Sequence, residues 1–549
     1  MRNILKQFSN IEKLLFITIV VIYINNLFID IMKIDAAQYA SIALEMLTNN
    51  SFLQITDMQA DYLDKPPLLF WISSVSMGLF GVCNFAYKIG TFLMLLLSLI
   101  AIYKISIRYY YQETAKNATL IYGTCQAFFQ MTNDVRTDGL LTSSVIISIW
   151  FLVEYFFTNK IIYLLLGAFF TAFAMMSKGP IGLIAVLMPI GLQLLYKKDW
   201  KHIFNFKWIL FFLFIALLLF PMSYGLYVQF DLHPEKIING KQNQSGLYFY
   251  YWLQSFGRIT GESVWDNGLP WHFFIGSINW DFFPWIFVLY LGLFVKIRDL
   301  LNKKSEKLSE IITGSGFILL FFMLSLSKYK LPHYIFVTLP FASIICASYF
   351  NQINNIQFKI WDKIYFAFGC LILVILIIYP LLFFKEFNII ILFLIVMQLV
   401  LLYFRNKIKW HGMIKLLSYV IVLNLFLSFV FYPKLLTFQA DSMAGKWLIK
   451  NNPTALVYLI DEKSHAFNFY TKNTKNQTIS IDAVESVNQS SWFYINEEKL
   501  QMLEQKYRIE KKIKFSDYPI TRLKLSFLLE HKRPKSLKYF YLIQLKKRT

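Results

Sequence analysis

The chain has 549 residues, of which 57% are hydrophobic and only 16% are charged, compared with about 45–50% apolar and about 25% charged residues in soluble domains. This composition excludes a disordered, fibrous or ordinary soluble protein and indicates a polytopic membrane protein. The net charge of +21 comes from 54 Lys and Arg against 33 Asp and Glu, and its distribution between the two membrane faces matters more than its size.

Thirteen apolar runs are candidates to cross a bilayer, the first at Leu14–Ile29 and the last at Leu416–Tyr432. The first run lacks a small-residue cleavage site, so we interpret it as a retained anchor. A further run, Leu68–Val82, is apolar enough to be a span, but counting it would put Asp35 and Asp138 on opposite faces. We therefore predict a helix in the membrane interface there.

The distribution of charge predicts the orientation. With the N-terminus inside, the cytoplasmic segments carry 22 Lys/Arg and 8 Asp/Glu, whereas the outer loops carry 11 and 14. Short cytoplasmic loops should hold the excess of Lys and Arg. The predicted fold is therefore mainly α, with about 13 transmembrane helices and interfacial helices in the first outer loop. It has two domains: 1–432 in the membrane, with periplasmic loops 31–88 and 231–281, and 433–549 outside.

The first outer loop contains two candidate groups. Asp35 opens a stretch with apolar residues at helical spacing and is predicted to cap an amphipathic helix at the interface, either as a plain cap or as a functional carboxylate. Further on, Asp64 and Lys65 precede two prolines that stiffen the chain. Lys65 is thus predicted at head-group level, where an ammonium meets a phosphate or simply reaches the interface.

The next outer segments are short. Asp134, Arg136 and Asp138 fall within five residues, and a helix cap needs only one of the two carboxylates. Lys178 lies in a tight turn, where both a structural role and contact with a ligand stay open.

The last outer segments add more cations. Arg258 is solitary in an aromatic loop, and its guanidinium suits a bidentate phosphate contact. Lys328 and Lys330 stand together at the outer end of a span, against the usual charge bias, which suggests an anionic ligand.

The tail from Pro433 changes character. Asp441–Asn451 and Glu497–Lys506 are predicted as helices, and Ala455–Ile460 and Lys538–Leu545 as strands, which suggests a small α/β domain. The tail carries 21 Lys/Arg and 11 Asp/Glu. Such a surface either attracts anionic lipid head groups or is a plain solvated basic end.

Several strings together resemble the GT-C membrane glycosyltransferases, and most closely the bacterial branch of lipid A aminoarabinose transferase and its protein O-mannosyltransferase relatives. The resemblance covers residues 10–350. The strings are Asp35 with Tyr39–Ala40, Lys65–Leu68, Asp138–Leu141, Lys178–Pro180, Pro284–Trp285 and Ser327–Tyr334.

The resemblance implies roles for individual residues. Asp35 and Asp138 correspond to the catalytic carboxylates, and Lys65, Arg258 and Tyr334 to groups that bind the donor phosphate. Lys328 and Lys330 join this phosphate set as candidates, and four residues are interpreted as supporting it: Asp64, Lys178, Asp134 and Arg136. The branch often has Glu where this chain has Asp64. No metal ligand set is predicted, and no cofactor is assigned, although a divalent metal ion stays open.

The predicted function is transfer of a sugar from a polyprenyl-phosphate donor, such as undecaprenyl phosphate, to lipid A or another periplasmic acceptor, with inversion by single displacement. The expected location is the bacterial inner membrane, in contact with membrane lipids and without a nucleic-acid partner. The alternatives are O-glycosylation of periplasmic proteins and a lipid or glycan transporter without chemistry. A transporter should place polar residues at mid-membrane on broken helices, whereas here they lie at span ends.

Overall fold

Apolar helices make up most of this structure, a computed structural model that describes residues 8–262, 265–301, 310–405, 412–487 and 491–547. The α-helices of at least seven residues are Asn10–Asn26, Asp35–Thr48, Leu68–Phe80, Asn84–Tyr109, Gln112–Tyr122, Gln126–Asn133, Thr137–Thr158, Ile161–Lys178, Ile181–Tyr196, Lys207–Leu226, Phe273–Asp281, Ile286–Leu301, Ile312–Ser325, Leu339–Phe350, Asn355–Ile378, Ile389–Phe404, Gly412–Phe426, Ala440–Asn451, His465–Thr471 and Glu497–Lys506.

The helices fit a multi-pass membrane protein. Within the described ranges, seven helices are long and apolar enough to cross a bilayer, or eight if Phe273–Asp281 and Ile286–Leu301, which meet at 118°, form one broken span. Four shorter apolar helices of 10–17 residues accompany them. The predicted number of thirteen is therefore not confirmed by helix length. Leu68–Phe80 has 13 residues, too few to cross about 30 Å of hydrocarbon, and its place in the interface stays a prediction.

The candidate span Ala118–Met131 is broken in the structure, which corrects the prediction of one continuous helix. It divides into Gln112–Tyr122 and Gln126–Asn133. The polar groups at the break have partners elsewhere: the Tyr23 hydroxyl donates to the Gly123 carbonyl at 2.6 Å, and Trp285 Nε1 donates to Thr124 Oγ1 at 3.1 Å. A break in a helix at membrane depth is tolerated where other protein groups form hydrogen bonds with the polar groups that the break leaves unpaired.

Gly182 lets the helix Ile181–Tyr196 approach its neighbour closely. A Cβ at this position would lie 2.5 Å from the Ala174 carbonyl carbon. We expect Gly182→Ala to lower the unfolding midpoint of the solubilised protein, because overpacking costs about 1–3 kcal/mol. Gly191, on the same helix, has nothing within 4 Å of such a Cβ, so Gly191→Ala should not lower it. Thermal unfolding in detergent measures both variants, and equal midpoints would contradict this packing.

The C-terminal part contains a five-stranded sheet. After the two-residue strands β1 (Thr56–Asp57) and β2 (Ala60–Asp61), its strands are β3 (Val457–Ile460), β4 (Gln477–Ile479), β5 (Trp492–Asn496), β6 (Tyr507–Asp517) and β7 (Lys538–Lys547), in the spatial order β4-β3-β5-β7-β6. β3 is parallel to β4 and β5, and β7 is antiparallel to β5 and β6. The predicted helix Glu497–Lys506 is observed residue for residue, whereas β4, β5 and β6 were not predicted.

The C-terminal part packs on residues 31–88, the predicted first outer loop, and holds them in place. Lys33 forms ion pairs with Asp441 at 3.0 Å and Asp517 at 2.7 Å. His465 Nε2 lies 2.8 Å from Asp57 of the small hairpin. These contacts fix both sides of the helix Asp35–Thr48, and so they position Asp35.

Candidate active site

Asp35 is the first residue of its helix, and its side chain points to another loop. The helix Asp35–Thr48 has no side-chain cap, so the predicted capping role is wrong. Instead, Arg136 donates from Nη1 to Asp35 Oδ2 at 2.5 Å. The Asp35 side chain is 32% exposed, so the carboxylate is also accessible from outside the pair.

Arg136 joins three groups from different segments. Besides Asp35, its Nε donates to Asp134 at 2.8 Å, and its Nη1 lies 3.3 Å from His333 Nδ1. Burial opposes the charge of Arg136, but Asp134 and Asp35 outweigh it and raise the pKa of the guanidinium. Burial also raises the pKa of Asp134, against the opposing charge of Arg136. Arg136 therefore remains a fixed cation between two carboxyl groups.

His333 connects this group to Asp138. Because a guanidinium can only donate, His333 Nδ1 accepts and the imidazole proton is on Nε2. His333 Nε2 lies 3.5 Å from Asp138 Oδ2. Asp138 is also ion-paired with Lys178, whose ammonium lies 3.4 Å from the centre of the Tyr334 ring. Two carboxylates that are 103 positions apart in the chain thus belong to one network.

Arg258 continues the network through Tyr334. Its Nη1 donates to the Tyr334 hydroxyl oxygen at 2.9 Å, and its Nη2 lies 3.5 Å from Asp64 Oδ1. Lys65 donates to both Asp64 oxygens at 3.0 Å. Burial opposes ionisation of Asp64, but the charges of Lys65 and Arg258 outweigh it and lower the pKa of this carboxyl. Arg258 Nε is buried and has no hydrogen-bond partner in the described part of the chain.

A largely apolar cavity opens beside these cations. Lys178, Arg258 and Tyr334 line one part of it. Most of the remaining wall is apolar and comes from several helices and a loop: Leu141, Ile181, Ile184, Phe256, Ile259, Met323, Leu324 and Val337. A cavity with apolar walls and cations suits a ligand that combines a hydrocarbon chain with a phosphate.

Nine of the eleven predicted site residues thus form one connected network. No side-chain contact found within the described residues joins Lys328 or Lys330 to it, although the Lys328 backbone N–H donates to the Arg258 carbonyl at 2.7 Å. Lys330 donates from its ammonium to the Leu269 carbonyl at 2.9 Å, and Lys328 is exposed. His333 is the residue that the sequence reasoning missed; it stands beside Tyr334 in the chain, but a single histidine without a spaced partner gave no signal.

The carboxylates of this site are engaged with cations. Among the described residues, no group of three or more His, Cys, Asp or Glu side chains is arranged to hold a metal ion. Asp64, which stands where the resembled branch often has Glu, is paired with Lys65 and Arg258.

Comparison with known proteins identifies relatives of this architecture. Residues 64–224 match the family model described as dolichyl-phosphate-mannose-protein mannosyltransferase. The chain is 25% identical over 316 residues to undecaprenyl phosphate-alpha-4-amino-4-deoxy-L-arabinose arabinosyl transferase 2 of Proteus mirabilis, covering 56% of this chain and 52% of that protein. A similar protein of Erwinia tasmaniensis is 23% identical over 307 residues, covering 55% of this chain and 52% of that protein. The chain thus spans about half the length of these curated relatives.

The fold is shared over nearly the whole chain. The crystal structure of ArnT from Cupriavidus metallidurans in the apo state superposes with a TM-score of 0.67 at 14% identity, covering 96% of this chain and 97% of that one. The structure of the same protein bound to undecaprenyl phosphate gives a TM-score of 0.66.

Proposed function

We propose that this chain, a GT-C type membrane glycosyltransferase by its fold and by its family match over residues 64–224, moves a sugar from undecaprenyl phosphate to lipid A or a related periplasmic glycolipid. The observation that carries the proposal is the network in which Asp35 and Asp138 join Lys65, Lys178 and Arg258 beside an apolar cavity. The names of the curated relatives support the same donor lipid.

The cations serve the leaving group. When the bond between the sugar and the lipid phosphate breaks, negative charge develops on the phosphate oxygens. Lys65, Arg258 and Tyr334 can donate to these oxygens, and such donors stabilise a transition state strongly where water is excluded. Lys178 lies between them and Asp138. The hydrocarbon chain of the donor would occupy the apolar cavity.

The carboxylates serve the sugar and the acceptor. The acceptor oxygen attacks the anomeric carbon opposite the departing phosphate, and this single displacement inverts the configuration. A hydroxyl acceptor needs a base, which we assign to Asp35 first and Asp138 second. A phosphate of lipid A is already anionic and needs no base, so Asp35 would then orient the sugar. His333 acts through its Nε2 proton and Arg136 through its charge. Together they hold Asp35 and Asp138 in a fixed relative position.

The orientation and domain assignment belong to the same proposal. We place the protein in the inner membrane with its N-terminus in the cytoplasm and thirteen crossings. Residues 1–432 form the transmembrane catalytic domain, and residues 433–549 form a periplasmic α/β domain. The contacts of Lys33 and Asp57 with the C-terminal part support one common face for this domain and the site.

Mass spectrometry of lipid A from cells with and without this protein tests the proposal. We expect one additional sugar on lipid A only in cells that contain the protein, and its mass identifies the sugar. Reintroduction of the wild-type gene should restore the modification. Identical lipid A in both strains, from cells supplied with the lipid-linked donor, would contradict the proposal.

A second candidate is transfer to periplasmic proteins. The family model matched by residues 64–224 is described as a protein mannosyltransferase, which favours this alternative specifically. Glycopeptide analysis of periplasmic proteins from the same two strains distinguishes it. Loss of a protein-linked sugar together with unchanged lipid A would replace the first candidate by the second.

A further inference from the structure

The connection between β6 and β7 is long and basic. These strands are antiparallel neighbours at the edge of the sheet, yet residues 518–537 separate them, where a short turn would suffice. We call residues 518–537 the β6–β7 excursion. It contains five Lys and Arg residues and one acid, Glu530.

The excursion packs on the end of an apolar helix and forms hydrogen bonds with it. Phe527 is fully buried, and its ring lies 5.1 Å from that of Phe438 and 6.4 Å from that of Phe384. The Glu530 backbone N–H donates to the Leu382 carbonyl at 3.3 Å, and Arg533 donates to the Phe383 carbonyl. Leu382 and Phe383 are the last residues of the candidate span Lys359–Phe383. The excursion therefore lies at the end of this candidate span.

Apolar side chains on this surface are left uncovered. Leu523 is 41% exposed and Leu525 is 63% exposed. Leu381, at the end of the span, is 61% exposed. Leucines exposed at the level of a span end face acyl chains and head groups rather than bulk water.

Cations surround these leucines. The exposed basic residues of the excursion are Arg522, Lys524, Lys532 and Lys535. None of the four has a carboxylate partner within the described residues, whereas Arg533 is buried by its carbonyl contacts. Exposed leucines flanked by cations without a carboxylate partner are typical of a surface that binds anionic lipid.

We propose that the β6–β7 excursion docks on the membrane surface, with Leu523 and Leu525 inserted at the acyl-chain boundary and its four exposed cations bound to anionic phospholipid head groups. The docking adds a second attachment of the sheet to the membrane, besides the chain that leaves the last span. It is independent of the sugar and of the acceptor.

A fluorescent label at position 525 tests the docking in the full chain. Leu525→Cys is made in a background with Cys83→Ser and Cys370→Ala, because Cys83 is exposed and Cys370 partly so, and is labelled with an environment-sensitive dye in lipid nanodiscs. Met502→Cys is the matched control, since Met502 is 52% exposed on the helix Glu497–Lys506, which packs on β5, β6 and β7. We expect blue-shifted emission and quenching by nitroxide lipids at position 525 but not at position 502.

The lipid composition tests the role of the cations. The shift at position 525 should be larger in phosphatidylglycerol than in phosphatidylcholine discs, and the combined variant R522Q/K524Q/K532Q/K535Q should reduce this difference at least about twofold. A label at position 525 that is as exposed to water as that at position 502 in both lipids would overturn the proposal. A shift that occurs only when lipid A is added would also overturn it, because the surface would then be an acceptor site.

Discussion

Asparagine in place of Asp35 is expected to lower the rate of sugar transfer to a hydroxyl acceptor by about 10²–10⁴-fold, the range for loss of a general base. The substitution removes the charge that lies 2.5 Å from Arg136 Nη1 while keeping the size of the side chain. Arg136 retains Asp134 at 2.8 Å, so the loop keeps a carboxylate partner and the protein should still insert. The measurement is transfer by the purified protein with the lipid-linked donor that lipid A analysis identifies.

Asp61→Asn provides the matched control for Asp35→Asn. Asp61 belongs to the same loop and is ion-paired with Lys236 at 2.9 Å. No hydrogen bond or ion pair within the described residues joins it to the network named above. We expect Asp61→Asn to retain most of the activity. Wild-type turnover in Asp35→Asn would remove Asp35 from the site, whereas equal losses in both variants would show that the loop merely needs its ion pairs.

Lysine in place of Arg258 is expected to lower transfer by about 10²–10³-fold, the effect of removing one donor that stabilises a developing anion. Arg258 uses Nη1 for Tyr334 and Nη2 toward Asp64, and its Nε is still available. A lysine has one compact ammonium and cannot reproduce this planar set. Steady-state kinetics with varied donor should show the loss, together with weaker binding of the donor.

Arg108→Lys controls for the loss of a paired arginine in general. Arg108 binds both oxygens of Glu154, and it lies at the other end of the helix Asn84–Tyr109 from the network. The variant should transfer sugar at close to the wild-type rate. If Arg258→Lys were as active as Arg108→Lys, Arg258 would not bind the donor phosphate.

The sequence could predict that the site residues share a face, because the number of spans between two loops decides whether those loops lie on the same side of the membrane. Once the apolar runs and the charge of the short loops fix which loops share a face, Asp35, Asp138 and Arg258 must meet on one side. The contacts among their loops agree with this. Local sequence also determined regular elements well, as for Ile181–Tyr196 and Glu497–Lys506, because helical periodicity is a short-range property.

The sheet was predictable only in part. β3 and β7 are apolar and stood out, whereas β6 alternates lysines with isolated apolar residues, as in Lys511–Phe515. A strand at the edge of a sheet carries such charges to prevent further pairing, and read alone this pattern indicates a solvated segment. The break at Gly123–Cys125 was equally hidden, because its polar groups are satisfied by Tyr23 and Trp285 from distant parts of the chain.

The sequence by itself determined that this is a helical membrane protein, and it predicted that the candidate site residues share one face. Only the tertiary structure decided which of them pair: Arg136 with Asp35 across 101 positions, and with His333 across 197. Such pairing depends on how distant helices cross and on which side chains point inward. The helix packing fixes both, and no local pattern of residues records either.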